Sequence, residues 1–168
     1  KIGLKYQDLE PRRIFQERFI AIKMIKKYNN SDNMKLKDSI LFDMNMTLRN
    51  NNNFAFGFSR FYNSFNDRLI YDYKEDQLGE PLFLPSGYGG YFNWSSDQRK
   101  VNAFSFLLGW GVNRIDDWGY NFNYMHTYRP IPNLNMSFNY EYHKSKEKYH
   151  WLDIVKINDI PHYIFSNA

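Results

Sequence analysis

Strict two-residue alternation, recurring in segment after segment, constrains this chain more than any other feature. From Leu134 the even positions read Leu134, Met136, Phe138, Tyr140 and Tyr142, and the odd ones Asn135, Ser137, Asn139, Glu141 and His143. Successive side chains of a strand point to opposite faces, so such a segment has one apolar and one polar face. A soluble sheet and a membrane barrel both write that pattern. They differ in which face is the outside.

Composition bears on that choice. Aromatic residues make up 20% of the chain, with 15 Phe, 14 Tyr and 4 Trp. Yet the mean hydropathy is −0.69, that of a polar chain. The combination is awkward for a compact soluble domain. It is natural for a barrel with an apolar lipid face and a polar lumen. Cysteine is absent, which removes disulfides and thiolate metal sites from consideration. The net charge of +4 is spread over turns and strand ends rather than gathered on a stripe, so nucleic acid is not an expected partner. No run of eighteen apolar residues marks a membrane helix, which leaves barrel strands open.

The chain opens on what reads as the inside of a strand and stops in another, at His162-Tyr163-Ile164-Phe165. The expectation is a stretch of a longer mature protein, residues 1–168 forming a single domain. Asp8-Leu9-Glu10-Pro11 reads as a turn. Ile14 to Tyr28 has mixed alternation, and Phe15, Phe19, Ile22 and Met24 partly fit a helical face. After the turn Asn29 to Asn33, one parity holds Met34, Leu36, Ile40, Phe42, Met44, Met46 and Leu48, interrupted by Asp38. A strand of that length matches the nine to eleven or so tilted residues that cross a bilayer. Phe54, Phe56 and Phe58 oppose Ala55, Gly57 and Ser59, and Phe104, Phe106, Leu108, Trp110 and Val112 oppose Ala103, Ser105, Gly109 and Gly111. Small residues on one face make room for a lumen or a plug. Glu75 to Gly87 reads as the longest loop, with an apolar Leu82-Phe83-Leu84 that packs onto something. Tyr120 to Tyr128 alternates again, and Pro130-Ile131-Pro132-Asn133 reads as a tight connection. The count is about ten strands joined by short turns, an up-and-down meander.

The order of features from Asp76 onward carries a resemblance. It runs through Gly79 and Pro81, the strand Gly87 to Trp94, the turn Ser96-Asp97-Gln98-Arg99-Lys100, then Tyr128-Arg129-Pro130 with Asn133-Leu134 and a Tyr-rich strand. This resembles the uncharacterised C-terminal β-barrel domains of bacterial outer-membrane proteins that carry an N-terminal family-9-like carbohydrate-binding domain. The resemblance implies a barrel integral to the outer membrane of a Gram-negative bacterium. Its carbohydrate-binding domain would precede Lys1. No catalytic residue is implied.

Chemistry-bearing clusters read weakly. His143, Glu147 and His150 straddle a turn crowded by Lys144, Lys146 and Lys148, a poor metal site. Asp116-Asp117, and Asp72 with Glu75-Asp76, read as turn acids rather than a calcium loop. His126, between Tyr124 and Tyr128, reads as interfacial. Ser86-Gly87 with Gly89-Gly90 lacks the lysine and helix of a phosphate loop. No serine sits in a nucleophile elbow, so no enzyme, metal or cofactor is expected.

The expected architecture is therefore an all-β, antiparallel, up-and-down transmembrane β-barrel, here about ten strands of a larger one. Phe54, Phe56, Phe58, Phe104, Phe106, Leu108, Leu134, Met136 and Phe138 are expected to face lipid. Trp94, Trp110, Trp118, Tyr128, Tyr140 and Tyr142 are expected in the interfacial girdles, with Trp151 also near a strand end. The expected role is a pore, a membrane anchor or a scaffold of an outer-membrane assembly, its partners lipid and other outer-membrane subunits. Carbohydrate enters only through the domain implied by the resemblance. The alternative is a soluble β-sandwich or lipocalin-like barrel binding a carbohydrate or lipid, in which the aromatic faces would share an interior.

Overall fold

The period-two pattern becomes one continuous antiparallel ladder. A computed structural model describes residues 1–30, 33–66, 71–72, 77–78, 81–147, 150–157 and 160–166. Its main sheet takes β1 (Ile2–Asp8), β2 (Phe15–Tyr28), β3 (Lys35–Leu48) and β4 (Asn53–Phe61) in chain order. The chain then leaves the sheet through β5 (Ser64–Asn66) and β6 (Tyr71–Asp72) and comes back through β7 (Gln77–Leu78) and β8 (Leu82–Leu84). β9 (Gly87–Ser95), β10 (Asn102–Asn113), β11 (Trp118–Ile131) and β12 (Leu134–Lys146) complete the eight-stranded sheet. A last hairpin, β13 (His150–Ile157) and β14 (Ile160–Ser166), forms a two-stranded sheet of its own among the described residues. No helix occurs among the described residues.

The meander is thus observed, with one elongated hairpin inserted where β5 pairs β8 and β6 pairs β7 beyond the sheet. The helical option for Ile14 to Tyr28 gives way to strand, because β3 pairs along its whole length from Phe15 to Tyr28. Leu82–Leu84 is a strand rather than loop, held by the Phe65–Phe83 edge contact at 5.6 Å. Glu75, Asp76 and Gly79 lie outside the described residues, as do Ser31 and Asp32 of the first Asn-rich turn. Pro130 and Ile131 extend β11, leaving Pro132 and Asn133 as the turn. Left-handed backbone falls in turns at Arg13, Asn33, Asn51 and Asp116, mostly the residue types that tolerate it.

The sheet is open. Among the described residues β1 and β12 are its edges, and no closed barrel is formed. It is also sheared: the transverse row through Tyr140, in the middle of β12, passes Tyr124, Phe106, Trp94, Phe54, Met46 and Arg18 and ends on Asp8, the last residue of β1. Steady stagger of this kind accompanies strand tilt in curved sheets.

Burial tells the two faces apart. Among the described residues the only buried apolar side chains are Ala21 and Ala103. They share a face with buried Ser39, Gly57, Gly89, Gly109 and Thr127. The larger groove described below runs along this face from β3 to β12, so the small, polar face is the concave one. Large side chains need space there, and glycines supply it. A Cβ on Gly57 would come within 2.1 Å of the Tyr91 ring, which lies across it. We expect Gly57→Val to displace that ring and cost about 1–3 kcal/mol, as overpacking does. In a Tyr91→Ala background the same change is expected to cost clearly less; equal costs in urea-unfolding midpoints would show that the two residues do not share that space.

Candidate functional site

The outer face is mostly aromatic and aliphatic, with charged residues towards its ends and at the β1–β2 edge. Cross-strand rows run Leu4, Ile22, Phe42, Phe58, Gly90, Trp110 and Tyr120, and beside it Tyr6, Ile20, Met44, Phe56, Phe92, Leu108, Phe122 and Tyr142. All nine residues expected to face lipid lie on this face: Phe54, Phe56 and Phe58 on β4, Phe104, Phe106 and Leu108 on β10, and Leu134, Met136 and Phe138 on β12. They do not converge on a shared interior. From Phe104 to Val112 the band extends about 26 Å along β10, at about 3.3 Å per residue. Rings meet across strands: Phe92–Phe106 and Trp94–Phe106 at 5.5 Å, Phe42–Phe56 at 6.3 Å. Gly90 interrupts the row so that Trp110 can lie over it against Phe58, ring centroids 6.3 Å apart. These contacts leave the surface uncovered, with Phe138 59% and Met136 55% exposed.

The residues expected in the girdles divide between the two ends of the sheet. Trp94 and Tyr128 lie towards the short-turn end, Trp94 one residue from the end of β9. Trp110, Trp118 and Tyr142 gather towards the long-hairpin end, where Trp118 stacks on Tyr120 at 5.8 Å and Tyr120 meets Tyr142 at 5.9 Å. Tyr140 reaches neither end and packs near Phe122 mid-strand. Trp151 is the second residue of β13, opposite Phe165. His126 stacks on Phe104 at 4.5 Å, with Asn102 3.2 Å from its ring nitrogen.

The concave face carries the polar chemistry. Lys23 Nζ donates to Asp43 at 2.9 Å, and the Tyr91 hydroxyl reaches the other Asp43 oxygen at 3.4 Å. Asn53 donates to Asn45 and Thr47, Thr47 to Glu17, and both Asn123 and Asn139 to Glu141. Lys23, Asp43 and Tyr91 border a groove of about 490 Å³. A larger one, about 1360 Å³, lies towards the long-hairpin end, floored by Gly109, Gly111 and Gly119 and walled by Phe61, Leu82 and His143. His143 itself contacts Ser145 at 3.2 Å. Among the described residues no three His, Asp or Glu side chains come together as a metal site.

The Ser96–Lys100 motif knits the short-turn end. Asp97 accepts from Arg99 through the backbone N–H at 3.1 Å, Nε at 2.9 Å and Nη2 at 2.9 Å, and from Asn51 of the neighbouring turn at 3.4 Å. Ser96 Oγ accepts from the Phe104 N–H at 2.8 Å, Gln98 donates to the Phe104 carbonyl, and the Arg129 guanidinium donates to the Gln98 carbonyl. The backbone N–H of Arg49 reaches Ile14 in the first turn. The motif's residue types are thus those of a turn that satisfies its own backbone and ties in its neighbours.

A family model matches residues 1–167. The chain belongs to that family, DUF5916, a domain of unknown function. No curated protein matches the chain. No solved structure does either. The DUF5916 assignment thus covers both faces and the short-turn rim without assigning them a role.

Sequence reasoning missed two residues. Tyr91 bridges strands only because Gly57 lies beneath it, a relation set by register. Arg60 ends the Phe54–Phe58 run at the same parity, and that interruption was readable. The rim generates a prediction. Hydrogen bonding from the Arg99 side chain and backbone holds the Asp97 carboxyl well below the usual 3.8. A depressed folded-state value contributes stability that is fully present above the unfolded value and lost as pH falls through the folded one. Asp97→Asn should therefore lower the unfolding midpoint at neutral pH, with wild type and variant converging only in strong acid. A gap unchanged across the acid range would remove Asp97 ionisation as its cause.

Proposed function

We propose that this chain is part of the wall of an antiparallel transmembrane β-barrel in a bacterial outer membrane. One observation carries the reading: the face left uncovered is the continuous aromatic and aliphatic one, while buried positions are small or polar. In water so large an apolar patch would drive association. In lipid it is the expected exterior, with the polar concave face as lumen. Phe54, Phe56, Phe58, Phe104, Phe106, Leu108, Leu134, Met136 and Phe138 then meet acyl chains, and Trp94, Tyr128, Trp110, Trp118 and Tyr142 meet the two interfaces.

A bilayer tolerates no unpaired strand edge. β13 and β14 follow β12 directly, and on this reading β13 joins the free edge of β12, carrying the wall to the ten or so strands the sequence suggested. Further strands come from the rest of the protein or from another subunit. The barrel serves as a pore, or as the membrane anchor or scaffold of an outer-membrane complex. The resemblance to barrels that follow a carbohydrate-binding domain connects it to carbohydrate. The polar ladder around Asp43 and Glu141 suits a water-filled or plugged lumen.

Membrane fractionation of the full-length protein with a heat-modifiability gel tests this. Detergent-extracted protein that migrates faster unheated is expected; a soluble protein with a single migration overturns it. Face assignment is tested separately by folding titrations in lipid. Phe106→Arg, near mid-strand, should cost up to about 2–4 kcal/mol according to its depth in the bilayer, and Ser105→Arg markedly less. Equal damage at both positions would count against the assignment of faces.

A further inference from the structure

Positive charge on the outer face is met differently from strand to strand. Towards the short-turn end, Arg18 donates to Asp8 at 2.6 Å, a pair on the same face. At the long-hairpin end of β2 and β3, Lys26 lies opposite Asp38 in the ladder, and Lys35 has the same carboxylate at 3.3 Å. On β4 and β9–β12, towards the long-hairpin end, the outward cations are Arg60, Lys144 and Lys146, and none has an ion pair among the described residues. Two of them lie over rings. The Arg60 guanidinium lies 3.9 Å from the centroid of Tyr88 and 5.6 Å from that of Tyr62, and Lys144 Nζ lies 5.9 Å from that of Trp118. No carboxylate occupies an outward position of those strands.

Register aligns these groups. Arg60, Tyr88, Val112, Trp118 and Lys146 form one transverse row, and Phe58, Gly90, Trp110, Tyr120 and Lys144 the next. Arg60 and Lys146 sit on strands separated by four interstrand steps, on the order of 19 Å at about 4.8 Å each. That is a row for several headgroups rather than a pocket for one ion. Directly below it on the same strands lies the apolar band of Phe56, Phe92 and Leu108. Cations over aromatic rings at the margin of an apolar surface can place their heads among lipid phosphates while their stems lie on the apolar wall.

We infer that Arg60, Lys144 and Lys146, backed by Tyr88, Trp110, Trp118 and Tyr120, hold the phosphate groups of anionic membrane lipid. The inference rests on the membrane reading above, and adds to it an orientation. The long-hairpin end lies at the leaflet richer in lipid phosphate.

Trp110 and Trp118 lie inside the patch, so tryptophan quenching by brominated lipid reports on it. The full-length protein is folded into phosphatidylcholine vesicles doped with either brominated phosphatidylcholine or brominated phosphatidylglycerol. Stronger quenching by the anionic lipid is expected. Combined Arg60→Gln, Lys144→Gln and Lys146→Gln should lower that preference, about fivefold for each cation engaged. Raising salt should weaken the preference in the unaltered protein, which needs no variant to fold. Equal quenching by both lipids overturns the inference and leaves the membrane reading standing. Preference undiminished in the triple variant also overturns it. Quenching by neither lipid overturns the membrane reading and this inference with it.

Discussion

The ladder of backbone hydrogen bonds from β1 to β12 governs everything else in this fold. Each strand pairs with its chain neighbours, apart from the excursion between β4 and β9, so the register of one hairpin is handed to the next. Because side chains alternate along every strand, a one-residue slip anywhere would turn a whole strand's aromatic residues from one face to the other. The observed registers never slip within the body of the sheet. The irregularities fall near strand ends, between Phe15 and Glu17, Lys27 and Tyr28, and Tyr128 and Ile131. Large residues therefore line up with large residues across the outer face, and small or polar residues across the concave one.

That sorting leaves the concave face with little apolar material and gives glycine a specific task. Gly57 leaves room for Tyr91, whose hydroxyl comes within reach of Asp43 and its partner Lys23, so a ring lying along the wall links polar groups of neighbouring strands. Gly109 does the same for Asn121, whose amide oxygen would lie 2.3 Å from an added Cβ. On the outer face Gly90 admits the Trp110 ring beside Phe58. The wall is thus packed in its own plane, side chain over glycine, rather than through a central core.

Alternation made β3, β10, β11 and β12 legible in the sequence, since each repeats the pattern over more residues than a chance run would. β2 was harder to read because charged residues enter its apolar parity. Arg18 there is compensated by Asp8 on β1, and only the register brings the two together. The register likewise sets Lys26 opposite Asp38. Cross-strand relations of this kind, with Tyr91 over Gly57 and Asn51 reaching Asp97, depend on which residues the ladder sets side by side, and composition and spacing carry no record of that. The Ser96–Lys100 turn was visible as a motif. Its part in tying adjacent turns together was not, because Asn51 belongs to another hairpin.

The hairpin β13–β14 shows why local pairing can stand apart from the wall it follows. Its strands satisfy one another from His150 to Ser166, a contact between near neighbours in sequence that carries little loop-closure entropy. Pairing β13 to β12 adds a ladder along an edge whose amides water would otherwise solvate, so in water the net gain is modest. Inside a bilayer water is absent, and the same edge carries a penalty of several kcal/mol for each unmet group. On the membrane reading, the force that closes the wall is therefore supplied by the lipid. On the same reading, closure keeps the register from β1 to β12 and adds only the pairing of the two edges.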